Sequence, residues 1–256
     1  MYEPNVERVL AALGPTDVVL DIGGWARPFN RADWVLDAEP YDTRGWYGLP
    51  PQGGEHERFS ADRWIRRDIC EHTPFPFADK SVDFVICSHV LEDVRDPLWV
   101  CREMMRVARR GYLEVPSRVA ETCRGVEPGQ VGWSHHRWLI DIGDEGVVFL
   151  MKYHTIHSHW RLSFPSSVLR GLEERAKVQW LFWDDRFACE ERTIHGADRI
   201  AAELAGFVER VHPYPAWLVR ADAAARAVGR LPGRVARGLG ARLGGSRGGP
   251  PPERDA

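Results

Sequence analysis

The residues of this chain that could bind a ligand stand directly after short apolar runs. They are Asp21, Gly23 and Gly24 after the first run, Asp37 after the second, Asp68 after a weaker third, and Ser88 and His89 after the fourth. Glycine lets the backbone approach a ligand closely because it carries no Cβ. A carboxylate such as Asp37 can accept hydrogen bonds from both hydroxyls of a ribose, and Asp68 can accept one from an exocyclic amine. Together these residues predict a pocket for an adenosine moiety.

Apolar runs alternate with helical segments along residues 1–116, and this alternation decides where the polar residues lie. The runs are continuously apolar, which is typical of strands buried on both faces. Helical spacing marks residues 4–13 and 97–107. Strands joined by helices predict a parallel sheet, and ligands bind outside the carboxyl ends of such strands. The polar residues should therefore meet at one edge of the sheet.

The pattern changes after Pro116. It predicts a hairpin over 137–153 around the turn at 143–146, a helix over 166–176, a strand over 178–183 and a helix over 198–204. We place one domain at 1–220 and a tail rich in Ala, Arg and Gly at 221–256, which begins as a frayed helix. Residues 244–256 have no apolar side chains that could pack, so they are predicted to be disordered.

Two longer segments carry a family resemblance. The first is VVLDIGGWARPFNRADWVLD (Val18–Asp37), and the second, Arg67–Ser117, contains PFPFADKSVDFV and SHVLEDV. With these motifs the chain resembles the class I S-adenosylmethionine-dependent methyltransferases, in particular the small-molecule branch with the type 11 pattern. The resemblance implies an α/β, Rossmann-like fold. Its mostly parallel seven-stranded sheet would have helices on both faces, and a small cap at about 117–165 would follow the fifth strand.

The resemblance also implies S-adenosyl-L-methionine as the cofactor. Asp21, Gly23 and Gly24 would line its methionine end, Asp37 would hold its ribose, Asp68 and Ile69 would frame its adenine, and Ser88 and His89 would face it. Trp25 stands where the family usually has a further glycine. We expect it to cap the cofactor, and the alternative is that it plugs the site. The first loop lacks the GxGxxG spacing that seats a pyrophosphate, which argues against a nicotinamide or nucleotide-sugar enzyme.

The candidates for a catalytic base lie after the fourth and fifth strands. His135 and His136 follow the fifth strand, and one of them is expected to assist an acceptor by taking its proton. Adjacent side chains on a strand point to opposite faces, so we expect only one of the pair to enter the site. His89 and Asp93 are the other candidates, and Asp93 stands where the family often has histidine.

A second group of histidines, His154, His157 and His159, is close enough in sequence to be considered as metal ligands. No carboxylate joins them at a helical ligand spacing. On a strand, His157 and His159 would share a face while His154 would point away. We therefore expect no metal ion.

The predicted function is methyl transfer to oxygen or nitrogen of a small molecule, with a sugar or a secondary metabolite as the expected acceptor. The alternative is a degenerate methyltransferase fold that acts as a binding or assembly partner. The net charge of −3 combines an Arg-rich tail with an acidic body, which argues against nucleic-acid binding. No apolar run reaches the roughly 20 residues of a membrane span, and the first residues do not resemble a signal peptide. We expect a cytoplasmic protein, and a homodimer remains open.

Overall fold

The computed structural model describes residues 1–144 and 146–229 of the chain. Contacts divide the chain into two units, Met1–Val208 and Glu209–Ala256. The tail predicted from residue 221 is described only as far as Gly229, as part of a helix that begins at Ala216. The predicted disorder of 244–256 lies outside the described residues. In the described part of the chain, no helix has the length and apolar character needed to cross a membrane.

The described strands are, in chain order, β1 (Val19–Ile22), β2 (Trp34–Asp37), β3 (Trp64–Arg66), β4 (Val82–Ser88), β5 (Ala108–Pro116), β6 (Trp138–Gly143), β7 (Gly146–Met151), β8 (Val178–Asp184) and β9 (Cys189–Glu191). The described helices are α1 (Glu3–Ala12), α2 (Pro97–Val107), α3 (Arg118–Glu121), α4 (Ser166–Gly171), α5 (Glu174–Lys177), α6 (Ala197–Val211) and α7 (Ala216–Gly229). The helices predicted over 4–13, 97–107 and 198–204 are confirmed as α1, α2 and a longer α6. The strand predicted over 178–183 is confirmed as β8.

The main sheet has the strand order β3-β2-β1-β4-β5-β8. Strands β1 to β5 are parallel, and β8 runs antiparallel to β5. The chain order reverses at β1, which lies between β2 and β4. Ile22 of β1 pairs with Leu36 of β2 and with Cys87 of β4, so these three strands end at the same level. This is the position at which a ligand crevice forms in an open α/β sheet.

Alternate residues of the strands pack against helices on opposite faces of the sheet. Leu20 and Val85 belong to a cluster that includes Met104 of α2, which we call the α2 cluster. Val19 belongs to a second cluster with Val9 of α1. Because α1 and α2 cover opposite faces, the predicted α/β class with helices on both faces is confirmed.

The beginning of α2 follows from its local sequence. The Asp96 side chain accepts a hydrogen bond from Trp99 N at 2.9 Å, which satisfies an N–H group that has no partner inside the helix. Pro97 occupies the first turn, where its missing N–H is not needed. Val100, Met104 and the other buried residues of α2 then face the sheet. These contacts fix the residue at which α2 begins, and therefore the length of the loop that joins it to β4.

The main sheet has six strands within residues 1–144 and 146–229, whereas seven were predicted. The predicted hairpin does form, as β6 and β7, with Gly143 paired to Gly146. It joins β9 in a separate three-stranded sheet and does not extend the main one. Burial explains this, because Phe149 packs into the α2 cluster while the next residue, Leu150, packs into a third cluster with α6. The small sheet also reaches beyond the predicted cap at 117–165, since β9 follows β8.

The helix predicted over 166–176 is interrupted. It forms two short helices, α4 and α5, with Leu172 and Glu173 between them. Both residues have extended backbone, with ψ of 129° and 152°. Gly171, which ends α4, is a weak helix former. This explains why the segment does not form the one continuous helix that its apolar spacing predicted.

Candidate functional site

A cavity of about 430 Å³ lies at the carboxyl ends of β1 and β4. The predicted site residues that line it are Gly23, Gly24, Trp25, Ser88, His89, Asp93, His135 and His136. The predicted residues that are not part of its lining are Asp21, Asp37, Asp68 and Ile69. Its volume is within the range of roughly 300–1,000 Å³ that is typical of small-molecule sites.

The turn after β1 has a backbone shape that glycine adopts readily. Gly23 has a φ of +74°, and a Cβ on it would lie 2.2 Å from Val90 Cγ2. Its N–H donates to Leu36 O of β2 at 2.9 Å. Trp25 follows with a φ of +35°, which is strained for a residue other than glycine. The turn is thus held by close packing, and at Gly23 and Gly24 it presents only backbone atoms to the cavity.

Asp21 supports this region from inside the protein. The residue is 4% exposed, and its Oδ2 accepts a hydrogen bond from Phe29 N at 2.8 Å. Burial raises the pKa of Asp21 to about 7. The carboxyl group therefore fixes the loop between β1 and β2, and the predicted direct contact with the methionine end is not seen in the cavity lining. Asp21 is a positioning residue in this structure.

We expect Asp21→Asn to change the pH dependence of stability. The folded pKa of Asp21 lies above its ordinary value of 3.8, so its contribution to stability is present at low pH and is lost as the pH rises through about 7. Asparagine has the same shape, accepts from Phe29 N and does not ionise. The stability of the variant relative to wild type should therefore rise by about 2–3 kcal/mol between pH 5 and pH 8. Urea unfolding at both pH values measures this, and parallel curves would show that Asp21 does not titrate in this range.

Asp37 holds the same turn from β2. Its Oδ2 accepts from Trp25 N at 2.8 Å and its Oδ1 accepts from Glu39 N at 2.6 Å. Burial raises the pKa of Asp37, which is 5% exposed. Each carboxylate oxygen keeps a second lone pair for a ribose hydroxyl. Because the side chain is buried, a ribose could reach it only if neighbouring atoms moved.

The predicted adenine contacts, Asp68 and Ile69, have other partners. Asp68 Oδ1 accepts from Cys70 N at 2.8 Å, and its Oδ2 lies 3.4 Å from Arg95 Nη2. Ile69 is 9% exposed and packs in the α2 cluster. Asp68 and Ile69 therefore do not line the cavity with the other candidates. The Asp68 side chain makes its contacts within a loop, and the Ile69 side chain is packed in the core.

His89 lies between two buried carboxylates. Its Nε2 is 3.1 Å from Glu114 Oε1 and its Nδ1 is 3.3 Å from Glu92 Oε1. Burial opposes protonation, yet the hydrogen bonds with Glu114 and Glu92 raise the pKa of His89 to about 9. His89 is therefore an imidazolium at neutral pH and can donate hydrogen bonds. This charge state disfavours His89 as a proton acceptor.

His136 is the better oriented member of the histidine pair. Its side chain is 7% exposed, and its Nδ1 lies 2.8 Å from Glu121 Oε2. Lys152 Nζ donates to the other oxygen of Glu121 and to Trp133 O. The Trp133 ring stacks on His136 with 5.0 Å between ring centroids. These contacts place the proton on Nδ1 and leave the lone pair on Nε2.

His135 is more open than its neighbour. Its side chain is 60% exposed, and its ring meets the ring of His136 edge-on at 4.5 Å between centroids. Both histidines line the cavity, whereas only one was predicted to do so. The reason is that they lie in a turn before β6, which begins at Trp138, so the alternation of a strand does not apply.

Several polar residues of the cavity region were missed in the sequence, among them Glu92, Gln52 and Glu121. Glu92 and Gln52 line the cavity, and Glu121 holds His136. Glu92 stands beside Asp93 in the motif SHVLEDV, so its position was a usable signal. Glu121 and Gln52 carry no local pattern that separates them from surface residues.

Asp93 is the remaining predicted candidate for the catalytic base, and burial raises its pKa.

His154, His157 and His159 do not lie on a strand in the structure. His154–His157 form a 3₁₀ turn, and His159 precedes a second one. His157 Nδ1 accepts from Val131 N at 3.2 Å, and the rings of His154 and His157 are 6.3 Å apart. This hydrogen bond gives His157 a structural role in holding the backbone at Val131.

Comparison with known proteins gives matches that cover part of the chain. Residues 55–113 match the model of the methyltransferase domain family, a segment that contains His89, Glu92 and Asp93. An uncharacterized methyltransferase of Mycobacterium sp. (strain KMS) is 36% identical over 105 residues, which are 39% of this chain and 37% of that protein. One from Mycolicibacterium gilvum (strain PYR-GCK) is 36% identical over 107 residues, 39% of this chain and 38% of that protein. The chain thus spans less than two fifths of the length of these relatives.

Among solved structures, an S-adenosylmethionine-dependent methyltransferase from Mesorhizobium loti shares 17% identity with this chain. The alignment covers 58% of this chain and 63% of that chain, with a TM-score of 0.30. Of the sequence matches, the one over residues 55–113 includes the end of β4 and the start of α2, where the cavity and its charged residues lie. The sequence matches confirm the predicted resemblance of this chain to the class I S-adenosylmethionine-dependent methyltransferases.

Proposed function

We propose that the cavity binds S-adenosyl-L-methionine and that the protein transfers its methyl group to oxygen or nitrogen of a small molecule, in the class of sugars and secondary metabolites. The observation that carries this proposal is the composition of the cavity walls. The turn at Gly23 and Gly24 and the turn at His135 and His136 line the same cavity. The first offers bare backbone at the end of β1, and the second offers ring nitrogens that can act on an acceptor.

The cavity fits the amino-acid end of this cofactor. Glu92, which holds His89, lines the cavity, and its buried Oε2 has no hydrogen-bond partner in the described part of the chain, so it would accept from an α-ammonium group. The buried Gln52 Oε1 also belongs to a lining residue and has no hydrogen-bond partner among the described residues. A buried acceptor without a donor is costly, so an α-ammonium group there would be favourable. Together with Gly23 and Gly24, these two side chains would hold the methionine moiety.

When bound, S-adenosyl-L-methionine supplies a methyl group that is already activated as a sulfonium. The residues of the chain then need to bind the acceptor, orient it and take its proton. We assign proton removal to His136 Nε2, because Glu121 fixes the other ring nitrogen as the donor. His135 and Asp93 lie beside it and would contact the acceptor.

We expect Asp37→Ala to weaken S-adenosylhomocysteine binding roughly tenfold to a hundredfold, because a lost charge-assisted hydrogen bond costs about 1.5–3 kcal/mol. Isothermal titration calorimetry measures the affinity. The exposed Asp144→Ala is a control for the loss of one negative charge. The melting temperature of the ligand-free variant separates ribose binding from the support that Asp37 gives to Trp25 N. Unchanged affinity would remove Asp37 from the cofactor site.

A binding or assembly role without catalysis is the second candidate. The observation in its favour is that Asp37 is buried while both of its oxygens accept backbone N–H groups. Thermal unfolding with S-adenosylhomocysteine separates the two candidates. A raised melting temperature, followed by transfer of labelled methyl to members of a panel of hydroxyl and amine compounds, supports the enzyme. No shift at millimolar ligand supports the second candidate.

A further inference from the structure

We propose that Asp93, His135 and His136 bind a divalent transition-metal ion at the edge of the cavity. Asp93 Oδ1 lies 3.9 Å from His135 Nε2 and 3.8 Å from His136 Nε2. One ligand atom from each residue lies within 4.8 Å of the other two. These separations are too long for hydrogen bonds. Two ligands held about 2.0–2.2 Å from one ion lie roughly 3–4 Å apart, so an ion would fit with small movements.

The surroundings of His136 are those of a metal ligand. Histidines that bind metals usually donate their other ring N–H to a carboxylate or carbonyl, which fixes the ring and the free lone pair. His136 donates from Nδ1 to Glu121 Oε2 at 2.8 Å, and Glu121 is itself 2% exposed and held by Lys152. Trp133 stacks on the ring. The lone pair of Nε2 is therefore available on the side that faces Asp93.

Oxygen atoms without partners provide a second, independent observation. Asp93 Oδ1, the atom toward which both Nε2 atoms are placed, is buried and has no hydrogen-bond partner in the described part of the chain. Glu92 is 2% exposed, lines the same cavity, and its Oε2 also lacks a partner there. A buried carboxylate oxygen without a donor is unfavourable. A cation between Asp93 and the histidines would remove this cost.

The ligand types indicate the kind of ion. Two imidazoles and one carboxylate suit Zn²⁺, Fe²⁺ or Co²⁺ better than Mg²⁺ or Ca²⁺, which prefer oxygen ligands. Three protein ligands leave positions open for water or substrate, as catalytic sites do. The sequence predicted no metal ion because the histidines weighed as ligands were His154, His157 and His159, which lie close together along the chain. Asp93 is far from His135 and His136 in sequence, so this cluster forms only in the folded chain.

The catalytic use of this ion rests on the proposed function, but its binding does not. An acceptor hydroxyl bound to the ion would lose its proton to solvent more easily, because the ion lowers its pKa. The methyl group would then move from the sulfonium to that oxygen, with S–CH₃ broken and O–CH₃ formed. In this case the ion, and not the free His136 Nε2, would activate the acceptor.

The test is calorimetric titration of the chelator-treated full chain with Zn²⁺ alone. We expect one ion per chain. Glu121→Gln should weaken binding roughly tenfold to a hundredfold, as loss of an outer carboxylate does, and His135→Ala and Asp93→Asn should weaken it more. His135 is largely exposed, so its variant should fold, which circular dichroism checks. His154→Ala, which removes an exposed histidine outside the cluster, is the matched control and should bind as wild type does.

Absence of binding in the wild type would overturn the inference. So would affinity that is unchanged in both His135→Ala and Asp93→Asn, because the ion would then lie elsewhere. Thermal stabilisation by S-adenosylhomocysteine, measured without metal, is independent of this result. If Zn²⁺ fails to bind while S-adenosylhomocysteine stabilises the protein, only the metal site is wrong. If Zn²⁺ binds and S-adenosylhomocysteine does not, only the proposed function is wrong.

Discussion

His136→Ala is expected to lower the methyl-transfer rate by about 10²–10⁴ while S-adenosylhomocysteine affinity stays near that of wild type. The range is that of a lost general base. The physical reason is the orientation of the ring, since Glu121 holds Nδ1 and leaves Nε2 as the acceptor beside Asp93. Single-turnover measurement of methyl transfer to an acceptor found in the panel gives the rate, and calorimetry gives the affinity.

Two further variants show how His136 acts. Glu121→Gln keeps the shape of the side chain but weakens the hold on Nδ1, so the rate should fall less and its pH profile should move. His135→Ala separates a free base from a bound metal ion. With a free His136 the rate would fall only through the lost contact of His135 with the acceptor, whereas an ion shared with His135 would lose a ligand and the rate would fall steeply. Near-wild-type turnover in His136→Ala would make this histidine structural and leave Asp93 as the next candidate.

The first half of the fold could be predicted because its signals are local. Continuous apolar runs such as Phe84–Cys87 identify strands buried on both faces, and each run ends at a polar residue. Pro97 and the Asp96 cap identify the start of α2. Local patterns of this kind place Gly23 and His89 at neighbouring strand ends, and the cavity lies there.

The second half could not be predicted to the same depth because long-range burial decides it. Nothing near β6 and β7 says that they join β9 and not the main sheet. That choice follows from apolar residues on both faces, such as Phe149 and Leu150, which pack into different clusters. The same is true of the site. Glu121 is a charged residue with no local motif, yet the fold buries it against His136 and Lys152.

The sequence left open the roles of the two residues that depart from the family pattern. In the structure, each of them contacts identified neighbours. Trp25, in place of a glycine, adopts a φ of +35° and donates its N–H to Asp37. Its ring meets the ring of Tyr47 edge-on at 5.6 Å between centroids. Asp93, in place of a histidine, faces both His135 and His136. The turn before β6 thus brings two histidines next to the position at which the family often has one.

Glu114→Gln should be the most destabilising single change that we expect. Glu114 is fully buried, and its carboxylate accepts hydrogen bonds from Tyr2 N, Tyr112 Oη and His89 Nε2. Removing one charge of a buried pair costs about 3–5 kcal/mol, and after this change Glu92 alone would compensate the charge of His89. For a chain of this size that corresponds to a fall in Tm of about 6–20 °C. Glu173→Gln, an exposed carboxylate without a side-chain bond at a helix start, is the control and should change Tm little.

The pH dependence of that loss tests whether Glu114 acts through its cationic partners, which are His89 and the Met1 ammonium group. The hydrogen bonds of Glu114 and Glu92 raise the pKa of His89 to about 9, so its contribution to stability is full below its ordinary value of 6.5 and is lost as the pH rises through 9. Burial opposes the shift at Glu114, but His89, the Met1 ammonium group and Tyr112 lower the pKa of Glu114 to about 2, so its contribution is full above 4.5 and is lost as the pH falls through 2. The difference in Tm between wild type and Glu114→Gln should therefore be largest between pH 4.5 and 6.5 and should shrink toward pH 9. A difference that stays constant from pH 5 to pH 9 would mean that Glu114 stabilises the fold through Tyr2 and Tyr112 alone, and that neither His89 nor the Met1 ammonium group is its charged partner.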